Sequence, residues 1–241
     1  MRILITNDDG IQAPGIRLLA EWARELGEVT VVAPKTEQSG MSHAIDFTKP
    51  VEILQVPYAQ GIEAYSMAST PADCIRFGVA GLGRRYDLVL SGINNGANVG
   101  LDIVYSGTVG AIFEASRFGI PAIAFSADRN GQAEAAQHLN EVYAYLQENR
   151  LLEVCRLYNV NIPGNPKGIR ITRQGSEYFS DEFIQTGENQ YLQVGVPLQD
   201  KCPEDATRDT VSFFGGYTSI TPLMATRTDT EAFGRLSEDL N

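Results

Sequence analysis

The stretch that decides the fold is Ile3-Leu4-Ile5-Thr6-Asn7-Asp8-Asp9-Gly10. Its first half is an apolar run typical of a buried strand, and its second half is an acidic turn. Taken alone, the turn could be purely structural, with Asp9 capping a helix. However, two adjacent carboxylates at the end of a buried strand repel each other and lose hydration, so they need a positive counter-charge. We therefore expect Asp8 and Asp9 to bind a divalent cation.

Size and composition indicate a globular protein with a substantial core. The chain has 241 residues, of which 43% are hydrophobic and 20% charged, as in ordinary globular domains. We predict a single domain over 1–241, with a core over about 1–165 and a hairpin and C-terminal arm over about 166–241. The net charge of −11 argues against nucleic-acid binding, which needs a basic surface.

The cysteines and histidines indicate which metal sites and which cellular compartment are compatible with this sequence. The three cysteines, Cys74, Cys155 and Cys202, form no CxxC pair, which fits free thiols in a reducing compartment. Only His43 and His138 are present, so a His-rich zinc site is excluded. With no signal-peptide pattern and no apolar stretch long enough to cross a bilayer, we expect a cytoplasmic protein without a membrane partner.

The order of the predicted elements gives the fold class. A strand at 2–6, an amphipathic helix at about 14–26 and a strand at 29–33 form a βαβ unit, which implies a parallel sheet. We predict an edge β-meander within 45–67. The further elements that we predict are a helix starting at Thr70-Pro71, strands at 87–90, 120–126 and 158–162, helices at about 109–118 and 131–149, hairpin segments at 169–173, 177–184 and 191–196, a late strand at 217–223 and a helical tail at 229–241. The class is thus α/β.

Three polar segments follow predicted parallel strands. They are Asp8-Asp9, Gln38-Ser39-Gly40, and Asn94 with Asn95 and Asn98. Ligand sites of open parallel sheets lie at that edge, and an all-oxygen set suits Mg²⁺ or Mn²⁺. Either Asn94 or Asn95 could instead be required by a left-handed turn.

A fourth segment, Ser106-Gly107-Thr108-Val109-Gly110, joins a loop to a predicted helix. Free N–H groups and the helix dipole favour a phosphate there, although Ser106 and Thr108 are equally good N-cap residues. A metal beside an anion site suggests metal-assisted hydrolysis of a phosphate ester. Because the first βα turn lacks GxGxxG, a dinucleotide-dependent oxidoreductase is disfavoured.

Two aromatic residues near these segments have open roles. His43 follows Ser39 in the same loop and could donate a proton to the leaving group, or it could simply face solvent. Tyr105 could stack on a nucleobase.

Ordered motifs along nearly the whole chain resemble the SurE family of survival-protein nucleotidases. They are Thr-Asn-Asp-Asp-Gly at 6–10, Val-Val-Ala-Pro at 31–34 with Ser39-Gly40, Thr-Pro-Ala-Asp-Cys at 70–74, Ser-Gly-Ile-Asn at 91–94 with Asn98 and Gly100, Tyr-Ser-Gly-Thr-Val-Gly at 105–110, Asn-Val-Asn-Ile-Pro at 159–163 and Ser-Ile-Thr-Pro-Leu at 219–223.

The resemblance implies a Rossmann-like, three-layer α/β/α core with a mostly parallel sheet, a C-terminal β-hairpin extension and a tail. It also implies a homodimer or homotetramer with one divalent cation, Mg²⁺ or Mn²⁺, in each subunit. The family's metal ligands correspond to Asp8, Asp9, Ser39 and Asn94. Its phosphate-side residues correspond to Asn98, Ser106, Gly107 and Thr108.

The resulting hypothesis is a 5'-nucleotidase that hydrolyses nucleoside 5'-monophosphates, with 3'-monophosphates and short polyphosphate as further candidate substrates. Asp8, Asp9, Asn94 and Ser106 form the predicted catalytic set. Substrate binding is assigned to Ser39, Gly40, His43, Asn98, Ser106, Gly107 and Thr108. The alternative is a non-catalytic, metal-dependent nucleotide sensor. The nucleophile, an aspartate or a metal-activated water, and the base preference are left open.

Overall fold

A computed structural model describes the backbone of residues 1–240 and the side chains of residues 1–238. The described strands are β1 Arg2–Thr6, β2 Glu28–Pro34, β3 Ile53–Gln55, β4 Glu63–Met67, β5 Leu88–Asn95, β6 Ala122–Ala127, β7 Leu157–Ile162, β8 Ile169–Ile171, β9 Phe179–Gly187, β10 Gln190–Pro197 and β11 Thr218–Pro222. The described α-helices are α1 Pro14–Ala23, α2 Pro71–Arg76, α3 Gly107–Arg117, α4 Gln132–Ala136, α5 Leu139–Glu148, α6 Leu151–Val154, α7 Asp209–Phe214 and α8 Thr230–Leu240.

A nine-stranded sheet in the order β3-β4-β2-β1-β5-β6-β7-β11-β8 forms the centre of the molecule. The six strands from β4 to β7 run parallel to one another. From β1 the chain winds outwards through β2 to β4, then returns to place β5 on the other side of β1. The strand order therefore reverses between β1 and β5, and ligands of open α/β sheets bind in the crevice at such a switch point.

Helices cover both faces of this sheet, as the predicted α/β class requires. Ile3 and Ile5 of β1 point to the core that α1 and α5 cover, whereas Leu4 points to the core beneath α2 and α3. This alternation follows from the two-residue period of a strand. Because both faces are buried, the central strands are continuous apolar runs rather than alternating ones.

The sheet differs from the predicted one at its edges. Residues 45–47 form no strand, and β4 pairs parallel to β2, with β3 antiparallel outside it, so 45–67 is not a simple meander. The segment predicted as a hairpin at 169–173 is instead β8, which pairs parallel to β11, while β11 pairs antiparallel to β7. The main sheet therefore extends past residue 165, where we expected the core to end.

The helix predicted over 131–149 is two helices, α4 and α5, separated at Gln137 and His138. The stretch 201–216, for which we predicted no element, contains a short helix, α7. The predicted hairpin is present as β9 and β10, a separate antiparallel pair whose apolar side chains include Phe183, 66% exposed, and Tyr191, 62% exposed. Within the described part of the chain, every helix is too short or too polar to span a bilayer.

Candidate active site

A cavity of about 850 Å³ opens at the switch point. Seven of the predicted site residues line it, namely Asp8, Asp9, Ser39, Gly40, Asn94, Asn98 and Ser106. They come from the ends of β1, β2 and β5 and from the start of α3. Three predicted residues, His43, Gly107 and Thr108, lie outside this lining. The fold thus brings together the complete predicted cation set, although its members are far apart in sequence.

Asp8 is held in place by the start of α3. Its side chain is 4% exposed, and Thr108 donates to both carboxylate oxygens, from the hydroxyl at 2.5 Å and from the backbone N–H at 3.2 Å. Gly107 permits this approach, since a Cβ there would lie 2.9 Å from the Cβ of Asp8. Burial raises the pKa of Asp8, and the hydrogen bonds from Thr108 and Gly107 oppose that shift.

The N-terminus of α3 binds a group that we did not predict, the carboxylate of Asp8. We expected its N–H groups to face a bound phosphate, but in this structure they face a carboxylate of the same chain. Thr108 is fully buried, so it orients Asp8 rather than lining the cavity. Sequence patterns could not reveal this, because an N-terminus that favours phosphate favours any anion.

Asp9 is less enclosed and is fixed by the strand on the other side of β1. The backbone N–H of Asn95 donates to Asp9 Oδ2 at 3.2 Å. Burial, and then the charges of Asp8 and Glu37, raise the pKa of Asp9 to about 6. Among the described residues, no lysine or arginine offsets the raised pKa of either carboxylate, and a nearby positive charge such as a bound cation would lower both pKa values.

Ser39 lies in the loop that leaves β2. The N–H of Gln38 donates to the carbonyl of Asp8 at 2.7 Å, which ties this loop to the acidic turn. The hydroxyl of Ser39 donates to Glu37 Oε1 at 2.6 Å. Glu37 also lines the cavity and is a third carboxylate that sequence reasoning missed, because the loop carries no motif that distinguishes it.

The two asparagines at the end of β5 have different environments. The amide nitrogen of Asn94 donates to the carbonyl of Gly96 at 2.8 Å, which leaves Oδ1 as the oxygen available to a cation. Asn95 uses its N–H on Asp9, and its Oδ1 accepts from the N–H of Asn130 at 2.6 Å. Asn95 thus links two loops, and Asn94 suits the ligand role better.

Asn98 is held by hydrogen bonds from two asparagines of β7. The side chain of Asn161 accepts from the N–H of Asn98 at 2.8 Å and donates to its carbonyl at 2.9 Å. Asn159 donates to the same carbonyl at 2.8 Å, and Ser126 accepts from the Asn98 side chain at 2.9 Å. Both β7 asparagines are fully buried. They are positioning residues that had no assigned role in the sequence, although their motif was noted.

Ser106 performs the capping function that was its alternative role. Its Oγ accepts from the N–H of Val109 at 3.1 Å as the N-cap of α3. Because the hydroxyl accepts this bond, its own hydrogen remains available to a ligand in the cavity that it lines. Capping and ligand binding are therefore compatible here.

His43 lies behind the cavity instead of in its wall. It lines a neighbouring cavity of about 490 Å³, and its Nε2 is 2.8 Å from Glu114 Oε2 on α3. The side chain of Glu114 is 5% exposed and also binds Arg76 at 3.1 Å. Burial raises the pKa of Glu114, but the hydrogen bond from His43 and the charges of His43, Arg76 and Arg117 outweigh it and lower the pKa overall.

The cavity has further wall residues that the sequence did not indicate. Among the described residues that line it, Arg129 is the single lysine or arginine. The N–H of the next residue, Asn130, donates to Asn95 Oδ1, which ties the Arg129 loop to the end of β5. Tyr105, which we considered as a residue that could stack on a nucleobase, lines the cavity together with Tyr178 and Phe179. Asp102 fixes these two, accepting from their N–H groups at 2.7 and 2.9 Å.

The donor chemistry of this site fits a hard divalent cation. Asp8 and Asp9 supply carboxylate oxygens, Ser39 a hydroxyl and Asn94 an amide oxygen, and all four line one cavity. Oxygen ligands of this kind suit Mg²⁺ or Mn²⁺. No group of three or more His, Cys, Asp or Glu side chains suited to a metal occurs in the described part of the chain. The predicted cation set contains only two carboxylates, with a hydroxyl and an amide, so it is not a group of that kind.

Comparisons with known proteins agree with this architecture. The sequence matches the model of a family described as "Survival protein SurE" over residues 3–181. It is 39% identical to a 5'-nucleotidase SurE of Caldanaerobacter subterraneus subsp. tengcongensis, covering 98% of this chain and 96% of the relative. It is 38% identical to a 5'/3'-nucleotidase SurE of Shigella dysenteriae, covering 100% and 97%. The crystal structure of the SurE protein from Aquifex aeolicus superimposes with a TM-score of 0.83, at 32% identity and with 100% of both chains covered.

Proposed function

Since this chain belongs to the SurE family, we propose that it is a 5'-nucleotidase, a phosphatase that hydrolyses nucleoside 5'-monophosphates to nucleoside and phosphate. Relatives of 37–42% identity carry the name 5'-nucleotidase. The relative named 5'/3'-nucleotidase makes 3'-monophosphates the second substrate class to examine. Short polyphosphate is a third.

One observation supports the proposal above all others. Asp8, Asp9, Ser39 and Asn94 line the same cavity as Asn98 and Ser106. Oxygen donors for a cation and hydrogen-bond donors for an anion thus share one open space. A phosphate ester is a ligand that needs both, because its charge requires neutralisation and its oxygens require donors.

Asp8, Asp9, Ser39 and Asn94 would hold the divalent cation, Mg²⁺ or Mn²⁺. When bound, it would supply charge stabilisation to the phosphoryl oxygens and lower the pKa of water. The chain itself orients the two carboxylates of this donor set. Thr108 orients Asp8, and Asn95 orients Asp9.

On the phosphate side, we propose that Ser106, Asn98 and Arg129 contact the phosphoryl group. Ser106 has a free hydroxyl hydrogen, and the amide of Asn98 has a second hydrogen beyond the one given to Ser126. Arg129 would add a positive charge to a cavity whose other charged lining residues in the described chain are carboxylates. Gly107 and Thr108 support the site through Asp8.

The nucleoside would lie towards the hairpin. Tyr105 is 61% exposed and shares the cavity with Tyr178 and Phe179. Aromatic faces of this kind stack on bases without selecting among them. We therefore expect a modest preference between bases.

The exposed apolar hairpin also suits contact with another copy of the chain, and we propose a homodimer or homotetramer.

Release of inorganic phosphate tests the proposal directly. The substrates are 5'- and 3'-nucleoside monophosphates and short polyphosphate, each assayed with Mg²⁺, with Mn²⁺ and with excess EDTA. We expect release from 5'-monophosphates that EDTA abolishes and added Mn²⁺ restores. Asp8→Asn and Asp9→Asn should abolish release while the circular dichroism spectrum stays unchanged. Equal release in EDTA would contradict the cation's role, and binding without release would favour the sensor.

A further inference from the structure

We propose that His43 is a positioning residue: by pairing with Glu114 it holds the loop that carries Ser39 against α3, and so sets how tightly the site binds a divalent cation. This inference rests on the proposed function only in assigning Ser39 to the cation. It replaces the alternative in which His43 donates a proton to the leaving group.

The end of this loop that follows β2 is hydrogen-bonded to the acidic turn. The N–H of Gln38 binds the carbonyl of Asp8 at 2.7 Å, and the N–H of Met41 binds the carbonyl of Gln38 at 3.3 Å. Between these points Ser39 and Gly40 are exposed, and Gly40 has a φ of 75° with no atom within 4 Å of where its Cβ would be. The span that carries the predicted ligand thus has no packing of its own.

The far end of the loop is fastened to the segment that leads into α3. The N–H of Ser42 binds the carbonyl of Tyr105 at 3.0 Å, and its hydroxyl binds the carbonyl of Val104 at 2.6 Å. Gly110 lets the loop lie directly on the helix, because a Cβ there would be 2.3 Å from the carbonyl oxygen of Ser42. The cation side and the phosphate side of the site therefore meet along this contact.

His43 links that far end of the loop to a carboxylate on α3. Its Nε2 lies 2.8 Å from Glu114 Oε2, and the two side chains are 30% and 5% exposed. The hydrogen bond between His43 and Glu114 involves a buried carboxylate that Arg76 and Arg117 also bind, and hydrogen bonds to charged groups are among the stronger ones in proteins. The same pairing occupies Nε2, and His43 lies outside the lining of the carboxylate cavity, so the ring is poorly placed to protonate a leaving group there.

The test compares His43→Ala, His43→Gln and Glu114→Gln with the unaltered chain. The first measurement is the Mn²⁺ dissociation constant, from electron paramagnetic resonance of free Mn²⁺, which requires no turnover. We expect His43→Ala to weaken Mn²⁺ binding about 10- to 100-fold, as loss of a support to a ligand does. His43→Gln should recover part of the affinity, because its amide can still donate to Glu114.

The second measurement separates positioning from proton donation. Each variant is assayed on a nucleoside 5'-monophosphate and on p-nitrophenyl phosphate, whose leaving group needs no protonation. A positioning role predicts that His43→Ala slows both substrates by the same factor at limiting Mn²⁺ and that saturating Mn²⁺ restores both rates. A proton donor predicts a much greater loss on the nucleotide and no recovery in His43→Gln.

Unchanged Mn²⁺ affinity in His43→Ala, or a loss confined to the nucleotide, would overturn the inference. If Glu114→Gln does not fold, the two His43 variants still test the inference, because the side chain of His43 is only partly buried. Failure of the unaltered chain to release phosphate would refute the proposed function alone, because the Mn²⁺ titration would still report on the loop.

Discussion

Thr108 binds both carboxylate oxygens of Asp8, with its hydroxyl 2.5 Å from Oδ1 and its backbone nitrogen 3.2 Å from Oδ2. The first residues of α3 therefore neutralise and orient a carboxylate at the end of β1. This contact joins elements that are 100 residues apart in the chain. It gives a buried anion a fixed direction into the cavity before a cation binds.

Thr108→Val should reduce cation affinity without disturbing the fold. Valine keeps the volume but removes the hydroxyl, so one oxygen of Asp8 loses its donor. We expect Mn²⁺ affinity or kcat/KM to fall about 10- to 100-fold, as for other supports of metal ligands. Titration with Mn²⁺ and phosphate release measure the effect. Thr108→Ser keeps the hydroxyl and should stay near the unaltered protein, and equal losses in both variants would contradict the role of that bond.

Arg129→Gln should raise KM for nucleotides with a small effect on kcat. Arg129 is the single lysine or arginine among the described residues that line the cavity, and a charged hydrogen bond contributes about 1.5–3 kcal/mol. That range corresponds to about a 10- to 100-fold rise in KM. Arg150→Gln removes the same charge from the surface, where Arg150 pairs with Glu153, and should leave KM unchanged. A KM for Arg129→Gln equal to that of this control would exclude Arg129 from the site.

Gly110→Ala should weaken cation binding from a position on α3 that touches no predicted ligand. An added Cβ would lie 2.3 Å from the carbonyl oxygen of Ser42, so the loop must shift even though alanine favours the helix. Isothermal titration with Mn²⁺ measures the loss. Gly164→Ala is the matched control, since the nearest atom to its Cβ would be 3.9 Å away. Normal affinity in Gly110→Ala would show that the loop does not need this contact.

Glu114 should contribute stability that depends on pH. Its pKa is lowered from 4.5, because the interactions with His43, Arg76 and Arg117 outweigh burial. A lowered folded-state pKa means that the ionised form stabilises the fold above the unfolded value and that this is lost as pH falls through the folded value. The Tm difference between the unaltered chain and Glu114→Gln should therefore be greatest above pH 4.5 and shrink in more acidic buffer. Thermal melts from pH 3 to 7 measure it.

The surface variant Glu148→Gln is the reference for that series, because residue 148 is exposed on α5. A Tm difference for Glu114→Gln that is the same throughout the range would mean that the carboxylate stabilises through shape rather than charge.

The sequence predicted most of the parallel core, because strands such as β1 and β2 are continuous apolar runs with few alternatives. Their polar ends predicted the cation set, since the carboxyl ends of parallel strands meet at one edge. The predictions were weakest at the sheet edges. Strand β8 is three residues long, and nothing in its local pattern distinguishes a parallel edge partner of β11 from half of a hairpin.

The contacts that support the candidate site were harder to predict than the residues that line its cavity. Glu37, Arg129 and Asn161 are ordinary polar residues in sequence, and their roles arise from contacts between distant segments. The same limit applies to Thr108, because a capping pattern does not reveal which anion the helix faces. A local motif identifies a chemical capacity, whereas the partner is fixed only by tertiary structure.

Substitution of Asn161 tests whether the contacts that support Asn98 matter for substrate binding. It accepts from the N–H of Asn98 at 2.8 Å and donates to its carbonyl at 2.9 Å, and it is fully buried. Asn161→Asp keeps the accepting oxygen but sets a carboxylate oxygen against that carbonyl, as Asn159→Asp does from the neighbouring position. We expect Asn161→Asp to reduce the free energy of unfolding by about 1–3 kcal/mol and to raise KM for nucleotides. Urea titration and steady-state kinetics measure both. A stability loss with unchanged KM would mean that Asn98 does not contact the substrate, because the clamp would then serve only the fold.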